Sequence, residues 1–431
     1  MIKIALWDRA LRSIKSSLRE GVFWFVLSSI LPPMIAILTG PLLLRKVGLE
    51  EYAVLSLATY FFNLVTGYSD FGSGVYLLTI YSKNSPNRHA VLGNATALKV
   101  GLLSVFFCAL FFFFHQYPRK DDLYSLLGVF MVTLLLPSVY VEWYFIARRR
   151  YFRLFLARLV LMVLQTSLIL IWFYSKWKNP LFIPSLTLIS GMAGSLCLIW
   201  FLGRSRILRG IKTLGSISLQ TLRSLFLQLA PMAASLLITP YLLAYALPWY
   251  AFTCSDKKLV GAFSIAYRLI IGMSSLVAPL VVYSIPKNAG SNNLPPFFKT
   301  LGFSLLASMG FWLFGVPVLW FYFHLSKVNP ALFPHAFRVF SILLAAVFFI
   351  CLRTPYVGQR LIHGQYRAYF LILLISCAPV MAVSWVGGKN ISPDWVPWLA
   401  CLPDFFTTVG FVGYNRIRSL GSQLRAGISP L

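Results

Sequence analysis

Six charged residues stand within long apolar segments of this chain, and they are the residues best placed to do chemistry there. Three are acidic and three are basic: Asp70, Glu142, Asp404, Lys99, Arg268 and Arg353. A charge inside a membrane-spanning helix is costly, so it usually faces the protein interior or a water-filled cavity. These residues are therefore the first candidates for a binding site or a coupling site.

Arg268 and Arg353 are the strongest candidates for binding an anion. Arg268 lies about nine residues into an otherwise uncharged run, which is near mid-membrane at about 1.5 Å per residue. Arg353 lies in the inner half of a later apolar segment. A guanidinium is always charged and can bind two oxygens at once, which suits phosphate. With Lys99, these residues predict a cavity that favours an anionic substrate.

Asp70, Glu142 and Asp404 are the candidates for coupling transport to a proton or sodium gradient. Structural alternatives stay open for several of the six charges. Glu142 lies close to the basic run Arg148 to Arg150, and Asp404 could pair with a neighbouring helix. The long side chain of Lys99 could reach back to the membrane interface.

Enzymatic chemistry is not predicted. The five histidines show no HExxH or paired-ligand spacing, and the six cysteines form no CxxC pair, so no metal site is expected. There is no Walker loop, so ATP is not the expected driver, and no cofactor is predicted.

The composition is that of a membrane protein. Of 431 residues, 58% are hydrophobic and only 11% are charged, whereas a soluble domain has about 25% charged residues. Several runs of about 20 residues are long enough to cross a bilayer, and such segments must be helical. The net charge of +27 is distributed over short loops, which indicates orientation signals and contact with anionic membrane lipids rather than nucleic acid.

We predict an all-α polytopic membrane protein of about twelve spans. The predicted spans are 21–44, 52–81, 91–115, 123–147, 159–175, 181–203, 225–252, 259–286, 300–323, 338–358, 368–386 and 395–414. With the N-terminus inside, the inner segments hold 24 Lys and Arg and the outer loops hold 10, so both termini are predicted to be cytoplasmic.

The longest inner loop divides the predicted spans into two lobes of six. The predicted parts are a cytoplasmic amphipathic N-terminus (1–20), an N-lobe (21–203), a basic linker (204–224), a C-lobe (225–414) and a cytoplasmic tail (415–431). Tyr52 to Tyr60 can be aligned with Val260 to Arg268, and the alignment matches Ser56 with Ser264 and Ala58 with Ala266. Two identities in nine are a weak echo that chance could produce, but parallel repeats are a common plan in transporters.

Two short motifs resemble those of a known family. Arg45, Gly48 and Tyr52 match its "arg-x-x-gly-x-x-x-tyr" loop, and Asp70, Phe71 and Gly72 match its "asp-phe-gly" element. A second-half echo is similar to Gly261, Phe263 and Ala266, while Ala53 departs from the Gly that often follows the Tyr. On these residues and on the span count, the chain resembles the Wzx-type O-antigen flippases of the multidrug/oligosaccharidyl-lipid/polysaccharide (MOP) exporter superfamily, which have a MATE-like fold.

The resemblance implies a function and its partners. It implies a flippase of the bacterial inner membrane that moves an undecaprenyl-pyrophosphate-linked oligosaccharide by alternating access, for surface polysaccharide biosynthesis. A polysaccharide polymerase and a chain-length regulator are the implied protein partners. Three alternatives stay open: a cation or drug antiporter of the same superfamily, capsule-type export in a Gram-positive cell and, from another class, a polysaccharide polymerase or ligase. The polymerase would be expected to have a large outer loop with catalytic residues.

Overall fold

The computed structural model describes residues 22–70, 73–82, 142–202 apart from 178, 180 and 181, 219–238, 246–276, 297–387 and 390–427, with a few positions between 94 and 108. Within these ranges all regular structure is helical, and the predicted all-α class is confirmed there. The number of spans and the side on which each terminus lies remain predictions.

The described helices fall into two compact units, which comprise residues 1–39, 73–226 and 278–289 and residues 40–72, 227–277 and 290–431. Two helices, α1 and α7, contribute residues to both units, and the six-plus-six division into lobes stays a prediction. The helices are α1 (Val22–Val47), α2 (Leu49–Asp70), α3 (Ser73–Ser82), α4 (Glu142–Ala147), α5 (Tyr151–Tyr174), α6 (Phe182–Leu202), α7 (Leu219–Ile238), α8 (Ala246–Thr253), α9 (Lys257–Ser275), α10 (Phe297–Ser326), α11 (Phe333–Ile362), α12 (Tyr366–Gly387) and α13 (Val396–Gly427).

Among the described residues, six segments are long and apolar enough to cross a membrane. They are Tyr151–Tyr174, Phe182–Phe201, Phe297–Ser326, Pro330–Leu361, Tyr366–Ser384 and Pro393–Ile417. Each overlaps one of the predicted spans, so the chain is a multi-pass membrane protein.

Several helices extend beyond the spans predicted for them. Helix α5 begins at Tyr151, although its span was predicted to begin at residue 159, and α13 continues to Gly427 rather than ending near residue 414. Charges such as Arg153 and Arg416 end an apolar run, but they do not end a helix, because a helix can continue into the aqueous layer with its backbone bonds intact.

In the first unit, aromatic side chains join the start of α1 to the start of α5. The ring of Trp24 lies 4.8 Å from that of Phe152, and the ring of Phe25 lies 5.0 Å from that of Tyr151, measured between centroids. These contacts hold the two helices side by side where Arg158 of α5 faces α1.

In the second unit, α2 and α9 run parallel and very close together. Gly261 of α9 lies against Leu49 of α2, where a Cβ atom on Gly261 would be only 2.7 Å from the Leu49 carbonyl oxygen. Ser56 donates to the carbonyl of Tyr52 at 2.7 Å, and Ser264 donates to that of Val260 at 2.8 Å. The residues paired by the sequence echo therefore form the same local hydrogen bond on adjacent helices.

Helices α11 and α13 also run parallel. The Cys401 thiol donates to the Ile342 carbonyl at 3.4 Å, and the Thr408 hydroxyl donates to the Phe349 carbonyl at 3.0 Å. Both contacts join residues 59 apart in sequence. Because the sequence separation is constant along the contact, the two helices keep the same direction.

Tyr250 of α8 fixes how the beginnings of α9 and α11 align. Its ring stacks on Phe263 of α9 with a centroid separation of 4.2 Å, and a hydrogen bond of 3.0 Å joins its hydroxyl to Nε2 of His335. Phe263 and His335 are therefore at similar depths.

The contacts of Gly315 on α10 relate α9 and α11 at a second position, further along both helices. A Cβ atom there would be 2.6 Å from Cε of Met273 on α9, and it would also meet the ring of Phe340 on α11. Since residue numbers rise along both helices from one level to the next, α9 and α11 are parallel.

Candidate functional site

Arg268 lies on α9, a helix that is buried on nearly all sides before it reaches this residue. Asp256 caps the helix by accepting a hydrogen bond of 2.8 Å from the Lys258 amide. The following residues from Val260 to Tyr267 are buried, and Arg268 is only partly exposed. The close approach at Gly261 brings the guanidinium of Arg268 within reach of α2.

The guanidinium of Arg268 lies over an aromatic ring. Its Cζ atom is 4.4 Å from the ring centroid of Tyr52, on the first turn of α2. Such a cation–π contact contributes about 2 kcal/mol or more when it is shielded from water. This contact holds the cation in place without neutralising its charge.

A second tyrosine completes this group, which we call the Arg268 cluster (Arg268, Tyr52 and Tyr322). The hydroxyl groups of Tyr52 and Tyr322 are hydrogen-bonded, and both side chains are fully or almost fully buried. Tyr322 packs directly on Gly40 of α1, because a Cβ atom at that position would overlap the Tyr322 hydroxyl and press against its ring. Helices α1, α2, α9 and α10 thus all position the cluster.

No carboxylate in the described part of the chain forms an ion pair with Arg268. The ion pairs found there join Arg158 to Glu142, Arg338 to Asp394 and Arg353 to Asp404. The charge of Arg268 is therefore not balanced by an ion pair with a carboxylate among the described residues.

Arg353 is in a different situation, because it is paired with another predicted site residue. Its guanidinium donates to the carboxylate of Asp404 on α13. The Asp404 side chain is completely buried, and that of Arg353 is 12% exposed. The Thr408 hydroxyl donates to the Asp404 carbonyl at 2.7 Å and links this turn of α13 to α11. The structural alternative foreseen for Asp404, a partner on a neighbouring helix, is what the structure contains.

The structure does not bring Arg268 and Arg353 to one depth. Arg268 lies midway between Phe263 and Met273 on α9, which corresponds to a point near residue 338 on α11. The backbone of Arg353 is a further 15 residues along α11, or about 22 Å at 1.5 Å per residue. Its guanidinium reaches back to Asp404, which the 59-residue register between α11 and α13 places level with residue 345, about 10 Å from the level of Arg268. The two charges therefore lie at different levels along the helices rather than forming one clamp.

Glu142 forms an ion pair in the first unit. It accepts hydrogen bonds of 3.0 and 2.8 Å from Arg158, which also donates to the Ser28 carbonyl at 3.0 Å. This bidentate pair ties α4 and α5 to α1. Sequence reasoning missed Arg158, which it had placed at the edge of a cytoplasmic loop.

Two candidates lie wholly or partly beyond what the structure describes. Lys99 is outside the described residues, and Asp70 is described only as the last residue of α2, without its side chain. Their predicted roles stay predictions.

Tyr322 was also missed by sequence reasoning, because a tyrosine near the end of a span is typical of the interfacial aromatic belt. Tyr52 was singled out only as part of a motif. In the described ranges, no group of three His, Cys, Asp or Glu side chains is arranged to hold a metal ion.

The sequence and the fold both resemble those of known proteins. The sequence profile of a family described as "Polysaccharide biosynthesis protein" matches residues 18–287, which is more than half of the chain. No curated protein matches the sequence.

Several solved structures share the fold. A MATE protein in complex with MaL6 superposes with a TM-score of 0.68 at 14% identity, over 93% of this chain and 97% of that one. The inward-facing conformation of a multidrug-resistance MATE family transporter of the MOP superfamily gives 0.63 at 15% identity, over 90% and 96%. A MOP superfamily transporter from Pyrococcus furiosus, described as having a binding pocket of reverse polarity, gives 0.61 at 14% identity, over 92% and 95%.

Proposed function

Because the chain belongs to the polysaccharide biosynthesis protein family and has the fold of MOP-superfamily transporters, we propose that it is a flippase for a lipid-linked oligosaccharide. The substrate is an oligosaccharide joined through pyrophosphate to undecaprenol. The protein moves its head group from the cytoplasmic to the periplasmic side of the bacterial inner membrane, as an O-antigen repeat or a similar unit.

The observation that carries this proposal is the charge on Arg268. A cation within apolar helices, held by an aromatic face and with no carboxylate partner among the described residues, is suited to a substrate that brings negative charge. A pyrophosphate offers several oxygens to the guanidinium fork. A transporter for organic cations would be better served by a carboxylate at this position.

The mechanism follows from the chemistry of this substrate. The head group is too polar to cross the hydrocarbon unaided, whereas the prenyl chain is soluble in the bilayer. The protein supplies a polar path for the sugar and a cation for the pyrophosphate, while the lipid chain stays outside. Alternating access opens that path to one side at a time, so no bond is made or broken and the protein acts as a transporter rather than an enzyme.

The test is to replace Arg268 in a strain that depends on this protein for its surface polysaccharide. Arg268→Ala should reduce surface polysaccharide at least about tenfold, because a charge-assisted bond to the pyrophosphate contributes about 1.5–3 kcal/mol. Arg268→Lys should retain part of the activity, since an ammonium keeps the charge but lacks the fork. Polysaccharide on the cell surface and lipid-linked intermediate in the membrane are both measured.

The matched control is Arg338→Ala, which removes an exposed arginine from the same unit. Arg338 is 63% exposed, and its carboxylate partner Asp394 is 4.0 Å away. This variant should behave as wild type at equal membrane abundance. Normal polysaccharide with Arg268→Ala would overturn the flippase proposal, and drug resistance conferred on an efflux-deficient strain would favour the antiporter instead.

A further inference from the structure

The ion pair between Arg353 and Asp404 is deeply buried, and a gain in stability does not explain its burial. Removing two charges from water costs several kcal/mol each, and a buried pair often stabilises a protein no better than apolar residues of the same size. A functional role would explain why this pair lies among apolar helices. The pair is suited to such a role, because it joins a candidate anion ligand to a candidate proton carrier.

The pair cancels the charge that an anion would need. A guanidinium is not deprotonated in proteins, so only the state of Asp404 sets the net charge at this level. With Asp404 ionised the net charge is zero, and with Asp404 protonated it is +1. A single proton therefore decides whether Arg353 can attract a phosphate.

Arg353 forms an ion pair with Asp404, and two thiols lie near the same carboxylate. Helix α11 contributes Arg353, α12 contributes the thiol of Cys377, and α13 itself contributes that of Cys401. Helix α8 carries Tyr250, which is bonded to His335, and His335 is ten residues, or about 15 Å, from the level of Asp404 on α11. Asp394 precedes Asp404 by ten residues, or about 15 Å of helix.

Prolines lie next to the pair on both helices. Pro355 follows Arg353 by two residues, and Pro403 directly precedes Asp404. Each proline removes one backbone donor and leaves the carbonyl four residues earlier without its usual partner. Such points bend easily and offer acceptors to a guanidinium that has left its carboxylate. A guanidinium released from Asp404 would thus have backbone acceptors close by in sequence.

We propose that Asp404 masks Arg353, and that proton uptake by Asp404 releases Arg353 to bind the pyrophosphate of the substrate. This inference rests on the proposed function and adds its coupling. The step makes one O–H bond on the carboxylate and breaks the ion pair, and the proton comes from water on the side to which the site is open. Proton and anion then occupy the site together, so each raises the affinity for the other.

A proton fits this site better than a sodium ion. One carboxylate is enough to take up a proton, whereas a hard cation prefers several oxygen ligands. The thiols of Cys377 and Cys401 beside Asp404 are soft ligands, which a hard cation does not prefer.

The depth of the two arginines gives the order of events. With the predicted orientation, the Arg268 cluster lies toward the periplasmic ends of α2 and α9, and the guanidinium of Arg353, paired with Asp404, lies about 10 Å further toward the cytoplasm. A pyrophosphate that arrives from the cytoplasm meets the proton-controlled arginine first and the permanently charged one second. After the pyrophosphate has moved on to Arg268, the O–H bond of Asp404 breaks, its proton passes to water and the ion pair re-forms, so Arg353 no longer attracts the anion.

The experiment measures binding of farnesyl pyrophosphate, a short prenyl pyrophosphate, to the purified full-length protein in lipid nanodiscs. Affinity is measured at about pH 5.5 and about pH 8 for wild type, Asp404→Asn, Arg353→Ala and Arg268→Ala. Asp404→Asn cannot bind the controlling proton, so its pH dependence reports only the titration of the probe itself. Wild type should lose about tenfold more affinity than Asp404→Asn between low and high pH, a typical size for coupling between two ligands.

The other variants separate this inference from the proposed function. Arg353→Ala should bind weakly at both pH values, because it lacks the guanidinium, and so should the double variant Arg353→Gln with Asp404→Asn. Arg268→Ala should weaken binding at both pH values without changing the ratio of the two affinities. If wild type and Asp404→Asn show the same ratio while Arg268→Ala still weakens binding, the inference is wrong and the flippase proposal stands. If wild type does not bind the pyrophosphate at either pH, the flippase proposal itself fails.

Two further measurements complete the test. Titration in buffers of different ionisation enthalpy should show uptake of up to about one proton per pyrophosphate bound by wild type and less by Asp404→Asn. Replacing choline chloride with sodium chloride at about pH 8 should not restore tight binding. If it did, sodium rather than the proton would be the ion that releases Arg353.

If Asp404→Asn does not fold, Arg353→Gln with Asp404→Asn gives a neutral pair. That variant should show no proton uptake on binding, and uptake equal to that of wild type would overturn the inference.

Discussion

At the scale of single residues, three arginines of this protein differ in the group that holds their guanidinium. Arg158 and Arg353 each have a carboxylate, whereas Arg268 has an aromatic face. Sequence reasoning identified Arg268 and Arg353 from their position in apolar runs, and in this it treated them alike. It could not tell them apart, because Asp404 is 51 residues from Arg353 and Tyr52 is 216 residues from Arg268, and only the fold brings these pairs together.

The hydrogen bond between Tyr52 and Tyr322 gives a prediction at this scale. Tyr52→Phe removes one hydroxyl and leaves that of Tyr322 buried without its partner, which should cost about 1–3 kcal/mol of unfolding free energy. Adding Tyr322→Phe removes both hydroxyls and should recover part of that loss, because no polar group is then left unsatisfied. Thermal unfolding of the purified variants measures the difference. A double variant less stable than Tyr52→Phe would contradict the assigned bond.

At the scale of helices, close packing rather than charge sets the position of the site. Helices α2 and α9 approach so closely at Gly261 that any side chain there would meet the backbone of Leu49. The sequence echo between these segments was weak, at two identities in nine. In the structure, Ser56 and Ser264 each form a buried hydrogen bond to the carbonyl four residues earlier. The two segments are therefore more alike in structure than their sequence identity indicates.

Gly261→Ala tests this close approach. Its Cβ would lie 2.7 Å from a backbone oxygen, so α2 and α9 must separate, and the contact of Arg268 with Tyr52 should weaken with them. We expect a loss of about 1–3 kcal/mol in stability, as for other overpacked sites, with reduced surface polysaccharide.

The matched control is Gly310→Ala on α10, where a Cβ atom meets nothing within 4 Å. That variant should be neutral or slightly more stable, because alanine favours a helix over glycine by about 1 kcal/mol. Equal melting temperatures for the two alanine variants would show that the approach of α2 to α9 is not tight.

At the scale of the whole molecule, composition and hydropathy predicted the class of the protein well. They predicted helices and multiple spans, because the bilayer imposes these features on any chain that crosses it, whereas the family was predicted from short motifs together with the span count. The ends of helices were predicted less well, as with α5 and α13, because charged residues mark the edge of the hydrocarbon rather than the end of a helix. The pairing of Asp404 with Arg353 could be foreseen only as an alternative, since helix neighbours are not encoded by periodicity.

The orientation gives a prediction for the whole chain. With 24 basic residues in the predicted inner segments and 10 in the outer loops, both termini should be cytoplasmic. Fusion of green fluorescent protein to the C-terminus should be fluorescent, and fusion of alkaline phosphatase there should be inactive. The opposite pattern would reverse the inner and outer assignment, and with it the order in which a substrate meets Arg353 and Arg268.

The pairing of Arg353 with Asp404 also has an electrical consequence. A unit charge that crosses the whole membrane exchanges about 2.3 kcal/mol with a potential of 100 mV. The intact pair carries no net charge, so the resting potential exerts no net force on this part of the protein. Once Asp404 is neutral, the same helices carry one positive charge, which a negative cell interior draws toward the cytoplasm. At its own level of the protein, the pair is thus insensitive to voltage while Asp404 is ionised and responsive to it once Asp404 is protonated.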